Sequence, residues 1–245
     1  MTEATVDLKT ADGVMTTRTF QPGDAESYPA VVFYMDGLGV RDALVDMARR
    51  LASNGYYVVL PNLFYRSGSY APFDGASVFS DPAERERIMG LIKEVTPARV
   101  TSDTAVLLDW LKTDAGVGIS KIGTVGYCMG GGHAISAAGA FPDRVAAAAS
   151  YHGGRLATDA PDSPHVVASR ARGRIYIGHA ENDNSFPDAQ RQRLEAAFTQ
   201  AHVSYSIELY HAAHGFAIPD LPVYDANAAD RHWETMLALF RESLG

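Results

Sequence analysis

The only cysteine of the chain, Cys128, lies in the segment GYCMG, with Gly126 two residues before it and Gly130 two residues after it. This is the G-x-S-x-G pattern of a nucleophile elbow, with cysteine in place of serine. The central residue of this strand-to-helix turn takes a positive φ, and glycines are needed where the flanking positions approach too closely for a Cβ atom. The turn places the thiol at a helix N-terminus, which favours a thiolate, and leaves the N–H group of Met129 free to bind an oxyanion. The segment predicts a nucleophilic cysteine; the alternative is a small buried residue beside a tightly packed helix.

An acid that could support this nucleophile should follow it in the chain, before the base. Asp183 comes just after the apolar run 173–180, in the segment ENDNSFP. The same Asn-Asp-Asn residues also suit a turn without catalytic function. Glu181 is the competing carboxylate. We predict Asp183 as the acid.

A histidine that could act as the base follows the last apolar run, 203–210. His214 is the predicted base, because the Gly-Phe pair after it resembles the His-Gly/Ser-Phe pattern of proteins with this elbow. His211 is the competing residue, and the two histidines could also be read as a metal pair. No third matched ligand accompanies them, so we expect no metal. Structural roles are expected for four other histidines, His133, His152, His179 and His232.

The elements that must position these residues alternate along the chain. Apolar runs typical of strands occur at 29–37, 56–61, 120–127, 144–153, 173–180 and 203–210. Helical patterns occur at 41–55, 82–94, 97–113, 129–140, 187–201 and 225–244. This alternation predicts an α/β fold with a mostly parallel sheet and helices on both faces. We also expect an edge hairpin of strands 4–9 and 14–20, a long loop at 62–80, and one domain over 1–245.

Composition excludes several functional classes. The chain has 245 residues and a formal net charge of −8, which argues against nucleic-acid binding. No apolar run is long enough to span a membrane. The first residues lack the features of a signal peptide, and a lone cysteine is consistent with a reducing compartment. We therefore expect a cytoplasmic protein.

The chain resembles the dienelactone hydrolase family of the α/β-hydrolase superfamily over about residues 5–242. The segments that carry the resemblance are, in order along the chain, DGLGV, YYVVLPNLFYR, AERER, VGYCMGGGHA, ENDNSFP and HAAHGFA. The resemblance implies an α/β-hydrolase fold without a large lid and a Cys128–His214–Asp183 triad. It further implies an oxyanion hole formed by the N–H groups of Gly37 and Met129. The implied activity is of the carboxymethylenebutenolidase type and proceeds through a thioester.

Four positions concern the substrate. Asp36 stands where the family has a glutamate that helps to generate the thiolate; the alternative is a turn-forming Asp-Gly pair. Arg87 matches the first of two arginines that bind the dienelactone carboxylate, although it could also be a surface charge. Ile218 stands where the second arginine would be, so we expect neutral substrates. Tyr65 belongs to an aromatic segment that shapes the pocket mouth or packs in the core.

The sequence thus predicts a cofactor-free hydrolase of a small-molecule ester or lactone, acting as a monomer or homodimer. Two other classes remain open. A thiol redox or stress protein would use Cys128 without hydrolysis. The chain has no second cysteine that could form a disulfide with an oxidised Cys128, which counts against this class. A non-catalytic binding protein could share the same fold, since fold alone does not prove function.

Overall fold

The computed structural model describes residues 1–23, 27–114, 117 and 121–245. The strands are β1 (Thr2–Thr10), β2 (Gly13–Gln21), β3 (Ala30–Tyr34), β4 (Tyr57–Pro61), β5 (Ile122–Tyr127), β6 (Val145–Tyr151), β7 (Arg174–Ala180) and β8 (Tyr205–Tyr210). The helices are α1 (Asp42–Ala52), α2 (Pro82–Glu94), α3 (Pro97–Leu111), α4 (Met129–Ala140), α5 (Pro164–Ala168), α6 (Asp188–Gln200) and α7 (Ala226–Leu244). One turn of 3-10 helix covers Tyr65–Ser67. None of the helices within these ranges is both long and apolar enough to cross a membrane.

The strands form one sheet in the order β1-β2-β4-β3-β5-β6-β7-β8. β1 and β2 form an antiparallel hairpin that closes at Thr10 and Gly13, and β2 is antiparallel to β4. All other pairs are parallel. The predicted edge hairpin and mostly parallel sheet are confirmed. Because the carboxyl ends of parallel strands share one edge of a sheet, the loops after β3, β5, β6, β7 and β8 meet there.

Helices cover both faces of the sheet, as β5 illustrates. Consecutive strand residues point to opposite faces. A Cβ atom on Gly123 would lie 2.8 Å from the Phe240 ring of α7, whereas the Thr124 hydroxyl donates a hydrogen bond to the Ala134 carbonyl of α4 at 2.9 Å. The β5 strand is therefore enclosed between α7 and α4, which fixes the direction in which the chain leaves its end.

The strands differ from the sequence-based boundaries mainly at their carboxyl ends. The runs predicted at 29–37 and 144–153 leave the sheet at Tyr34 and Tyr151. After β6 the chain cannot continue as a strand because His152 has a φ of 39°. The strand predicted at 120–127 begins at Ile122 in the structure. Residue 120 of the predicted run lies outside the described ranges. The five-residue helix α5 was not predicted, since a segment that short carries no readable periodicity.

Candidate active site

Cys128 lies between β5 and α4 in the geometry of a nucleophile elbow. Its φ is 52°, in the left-handed region that non-glycine residues rarely adopt. A Cβ on Gly126 would lie 2.0 Å from the Gly130 carbonyl oxygen, so the turn itself requires this glycine. Gly130 serves a different purpose, because its Cβ would lie 2.5 Å from the carbonyl oxygens of Tyr34 and Met35. The second glycine thus permits α4 to approach the end of β3.

A cavity of about 320 Å³ lies above the elbow. Its polar side chains are Asp36, Cys128, His152 and His214. Its apolar side chains are Leu38, Phe79, Ile92, Leu221, Pro222 and Val223. Glycines complete the wall at positions 37, 75 and 215, and among the described residues that line it there is no lysine or arginine. The cavity can therefore enclose a small, largely apolar molecule next to a thiol and an imidazole.

His214 and Asp183 form a hydrogen-bonded pair at the ends of β8 and β7. His214 Nδ1 lies 2.7 Å from Asp183 Oδ2. Asp183 Oδ1 also accepts hydrogen bonds from the main-chain N–H of Ser185 at 2.8 Å and from its hydroxyl at 2.6 Å. These contacts fix the carboxylate on two sides and, through it, the orientation of the imidazole.

The electrostatic state of this pair follows from its contacts. Burial alone would raise the pKa of Asp183, but hydrogen bonds from His214 and Ser185 lower it below its usual value. Burial alone would lower the pKa of His214, but the hydrogen bond to Asp183 and the interaction with Cys128 raise it to about 10. These contacts therefore favour the protonated form of His214 and the ionised form of Asp183.

The competing residues from the sequence lie together on the surface. Glu181 Oε1 lies 3.2 Å from His211 Nδ1, and both side chains are largely exposed. Neither lines the cavity. Across the described ranges, no group of three or more His, Cys, Asp or Glu side chains could hold a metal ion.

The two residues whose N–H groups are expected to bind an oxyanion follow the neighbouring strands β3 and β5. Gly37, three residues after β3 ends, lines the cavity. Met129 is the first residue of α4 and directly follows Cys128. The close contact of Gly130 with the end of β3 brings the start of the helix next to the loop that carries Gly37.

A sequence model of the dienelactone hydrolase family matches residues 15–244. The chain belongs to the dienelactone hydrolase family. A protein of Synechocystis called "Putative carboxymethylenebutenolidase" is 28% identical over 98% of this chain and 99% of its own length. Membership of the family makes the protein a hydrolase and indicates small-molecule substrates.

Solved structures show the same fold. A dienelactone hydrolase-like promiscuous phosphotriesterase from metagenomic libraries is 25% identical, with a TM-score of 0.77 and coverage of 100% of this chain and 99% of the other. A dienelactone hydrolase from Anabaena variabilis is 17% identical, with a TM-score of 0.71 over 100% and 99% of the two chains. The chain has the α/β-hydrolase fold predicted for it.

Asp36, expected by family resemblance as a base near the thiol, is engaged in a buried ion pair. Its two oxygens accept hydrogen bonds from Arg41 at 2.7 and 2.9 Å, and Oδ1 also accepts one from the main-chain N–H of Leu38 at 2.9 Å. Arg41 in turn binds both oxygens of Asp220, at 2.6 and 2.9 Å. Asp36 is thus the partner of a guanidinium and lines the same cavity as Cys128, and its role as a base near the thiol stays a prediction.

Arg87, expected to bind a substrate carboxylate, lies outside the cavity wall. Its guanidinium lies 3.8 Å from the centroid of the Phe73 ring, pairs with Glu84 at 2.5 Å, and donates to the Ala71 carbonyl at 2.8 Å. These contacts match the alternative role of a helix-surface charge. The family's arginine function does not carry over to this position.

Ile218 does not line the cavity as expected, and Tyr65 matches its alternative role of packing against the core. Ile218 is fully buried in the main core. Tyr65 lies against the β1–β2 hairpin, where its hydroxyl contacts Thr10 at 2.7 Å and donates to Asp103 at 2.8 Å. The loop after His214 instead contributes Leu221, Pro222 and Val223 to the cavity.

Sequence reasoning missed three residues of the site. His152 was assigned a structural role, yet it lines the cavity. Its position directly after a predicted strand could have revealed it, because ligands bind at the carboxyl ends of parallel strands. Ser185 could have been found from the Asp-x-Ser turn, in which a carboxylate binds the N–H two residues later. For Arg41 there was no such signal, since its partner Asp220 is far away in the sequence.

Proposed function

We propose that the protein hydrolyses neutral esters or lactones through a thioester formed on Cys128. One observation carries the proposal. Cys128 has a φ of 52° and lines the same apolar cavity as His214, whose Nδ1 lies 2.7 Å from Asp183 Oδ2. A nucleophile, a base and a residue that orients the base are the three parts of a catalytic triad.

In the first half-reaction, the proton of the thiol is held by His214, and the sulfur electron pair attacks the carbonyl carbon of the substrate. The carbonyl oxygen becomes an oxyanion and accepts hydrogen bonds from the N–H groups of Gly37 and Met129. The C–O bond then breaks, and the leaving oxygen takes the proton from His214. Asp183 keeps Nδ1 protonated and stabilises the imidazolium between these transfers.

In the second half-reaction, water attacks the thioester carbonyl carbon and gives a proton to His214. The C–S bond breaks, the acid product leaves, and the sulfur recovers its proton. An amine is a poorer leaving group than a thiolate, so an amide adduct would expel the thiolate and return to the reactants. Esters and lactones are therefore the fitting substrates.

The charge of the substrate is inferred from the cavity wall. Among its described residues the wall has no lysine or arginine, and the carboxylate of Asp36 is already paired with Arg41. A substrate carboxylate would enter this largely apolar space with no lysine or arginine to pair with, which is unfavourable. Neutral substrates suit the site better than carboxylated dienelactones.

The test is release of p-nitrophenol from short-chain p-nitrophenyl esters by the protein and its Cys128→Ala variant. We expect the variant to lose at least about 10³-fold in kcat, because the nucleophile is removed. His211→Gln is the matched control, since this exposed histidine is not in the cavity, and it should keep full activity. Comparable rates with and without Cys128 would refute the proposal.

A further inference from the structure

The mechanism above leaves one polar side chain of the cavity unused. His152 lines the cavity, yet only 1% of the residue is exposed. Within the described ranges neither ring nitrogen has a hydrogen-bond partner on another residue. Leaving a buried polar group unpaired is unfavourable. A partner that is present only during the reaction would explain why a histidine occupies this position.

The sheet places His152 beside the nucleophile. Tyr127 and Tyr151 are paired in the parallel register of β5 and β6, so the next residues, Cys128 and His152, are neighbours beyond the sheet edge. Both have a positive φ, 52° and 39°. The Cys128 N–H donates to the Tyr151 carbonyl at 3.2 Å, and the Gly154 N–H donates to the Cys128 carbonyl at 3.3 Å. The main chain around His152 is therefore bound directly to the elbow.

The strand order shows on which side of Cys128 this histidine lies. β3, with Gly37 after it, is next to β5 on one side; β6, β7 and β8 follow on the other. His152 is thus on the side of His214, and the two ring centroids are 5.3 Å apart at 64°. His214 gives its proton to the leaving group and later takes one from the attacking water, so both must be within reach of His214. That is the His152 side.

The ring is suited to bind water. Burial lowers the pKa of His152 well below its ordinary value, and the nearby His214 and His232 lower it further. A neutral imidazole has one N–H donor and one acceptor nitrogen. It can therefore orient a water molecule while His214 removes that molecule's proton.

We propose that His152 hydrogen-bonds the water that hydrolyses the Cys128 thioester and so promotes the second half-reaction. This inference rests on the proposed function. The bonds and protons are those already given: the water oxygen bonds to the carbonyl carbon, its proton passes to His214, and the C–S bond breaks. His152 neither gains nor loses a proton, and its contribution is the position of the water oxygen.

The experiment is stopped-flow release of p-nitrophenol from p-nitrophenyl acetate, with the acylated protein followed by mass spectrometry. Acetylation of Cys128 needs no water, so His152→Phe should keep its burst rate within about threefold of the wild type. Its steady-state rate should fall at least about tenfold, the scale of one lost hydrogen bond, and the acetylated form should accumulate. His152→Asn keeps a donor and an acceptor, and asparagine tolerates a positive φ. It should retain most of the steady-state rate.

The outcomes separate this inference from the proposed function. The role of His152 is overturned if the burst and steady-state rates of folded His152→Phe fall in the same proportion. It is also overturned if neither rate changes. If His152→Phe does not fold, His152→Asn decides, and an accumulation of acetylated His152→Asn would contradict the inference. A wild-type protein that never acetylates Cys128 refutes the proposed function itself, whatever the variants do.

Discussion

The two sides of Cys128 differ in how their polar groups are satisfied. On the β3 side, Arg41 binds the buried Asp36 with two hydrogen bonds and Asp220 with two more. On the β6–β8 side, Asp183 and His214 are paired, but the ring nitrogens of His152 have no partner on another described residue. We infer that the β3 side is a fixed support for the oxyanion, whereas the opposite side keeps hydrogen-bonding capacity for reacting groups.

One loop joins these two sides. It begins at His214 and Gly215, continues through Asp220, which pairs with Arg41, and then supplies part of the cavity wall. Gly215 has a φ of 103°, which favours glycine at the start of the loop. The Arg41–Asp220 ion pair therefore couples the position of the cavity wall to the loop that carries Gly37.

The largest effect is expected from breaking the His214 side. Asp183→Asn should keep the fold but lower kcat by about 10²–10⁴-fold, because the imidazole loses the group that fixes its tautomer and stabilises its charged form. The measurement is steady-state hydrolysis of a p-nitrophenyl ester. Glu181→Gln is the matched control and should be unaffected, since Glu181 pairs with the exposed His211. If the two variants exchange these outcomes, Glu181 is the acid.

Breaking the β3 side should affect stability. Arg41→Met leaves the carboxylate of Asp36, which is 1% exposed, without its counter-ion and should lower the free energy of unfolding by about 3 kcal/mol. Urea denaturation measures the change. Arg49→Met breaks an exposed pair with Glu3 and should change stability little. Equal losses in both variants would show that the Asp36–Arg41 pair has no special role.

A smaller effect is expected from adding charge to the joining loop. Val223 lines the cavity and is 41% exposed, so Val223→Arg should place a cation there without burying it. The kcat/KM ratio for an anionic over a neutral ester should rise by up to about fivefold, equivalent to about 1 kcal/mol for an exposed ion pair. Val166→Arg, on the exposed surface of α5, is the control and should leave the ratio unchanged.

The Ile218 position gives a contrasting prediction. Ile218 is fully buried, so Ile218→Arg should lower the melting temperature sharply because an unpaired charge enters the core. A thermal melt measures this loss of stability separately from any change in substrate specificity. A stable Ile218→Arg protein with a raised preference for the anionic ester would show that this position does face the substrate.

The smallest effect is a shift in the pH profile. The pKa of His214 is raised to about 10, so kcat/KM should fall only as the pH rises through that value and the imidazolium loses its proton. Asp183 stabilises the protonated form. In Asp183→Asn the pKa of His214 is therefore lower, and the alkaline limb should move to lower pH. A limb that does not move would mean that the carboxylate does not act on His214 in the reaction.

Much of the scaffold could be predicted because its determinants are local. The turn at Cys128 requires glycine at position 126, because any Cβ atom there would clash with the main chain. The glycine pattern in the sequence therefore predicts the turn. Alternating apolar runs and helical patterns gave the parallel sheet, and with it the edge at which Asp183 and His214 meet. These features depend on spacing along the chain.

The cavity wall could not be predicted in the same way. The Arg41–Asp220 pair joins residues 179 positions apart, and no local pattern marks either one. Tyr65 belongs to the aperiodic stretch after β4, and Arg87 packs against that stretch. In such a stretch, side-chain contacts decide whether a residue faces the core, the cavity or the solvent. Ile218 and Val223 are both apolar and close in sequence, yet one is in the core and the other lines the cavity.

The central claim is that Cys128 carries the acyl group. The most direct measurement is to mix the protein with p-nitrophenyl acetate, quench in acid within the first turnover, and map the product by peptide mass spectrometry. The account predicts one acetyl group per chain, on Cys128, which disappears at the steady-state rate of turnover. Ester hydrolysis with no acetyl group on Cys128, or with the group on another residue, would contradict it.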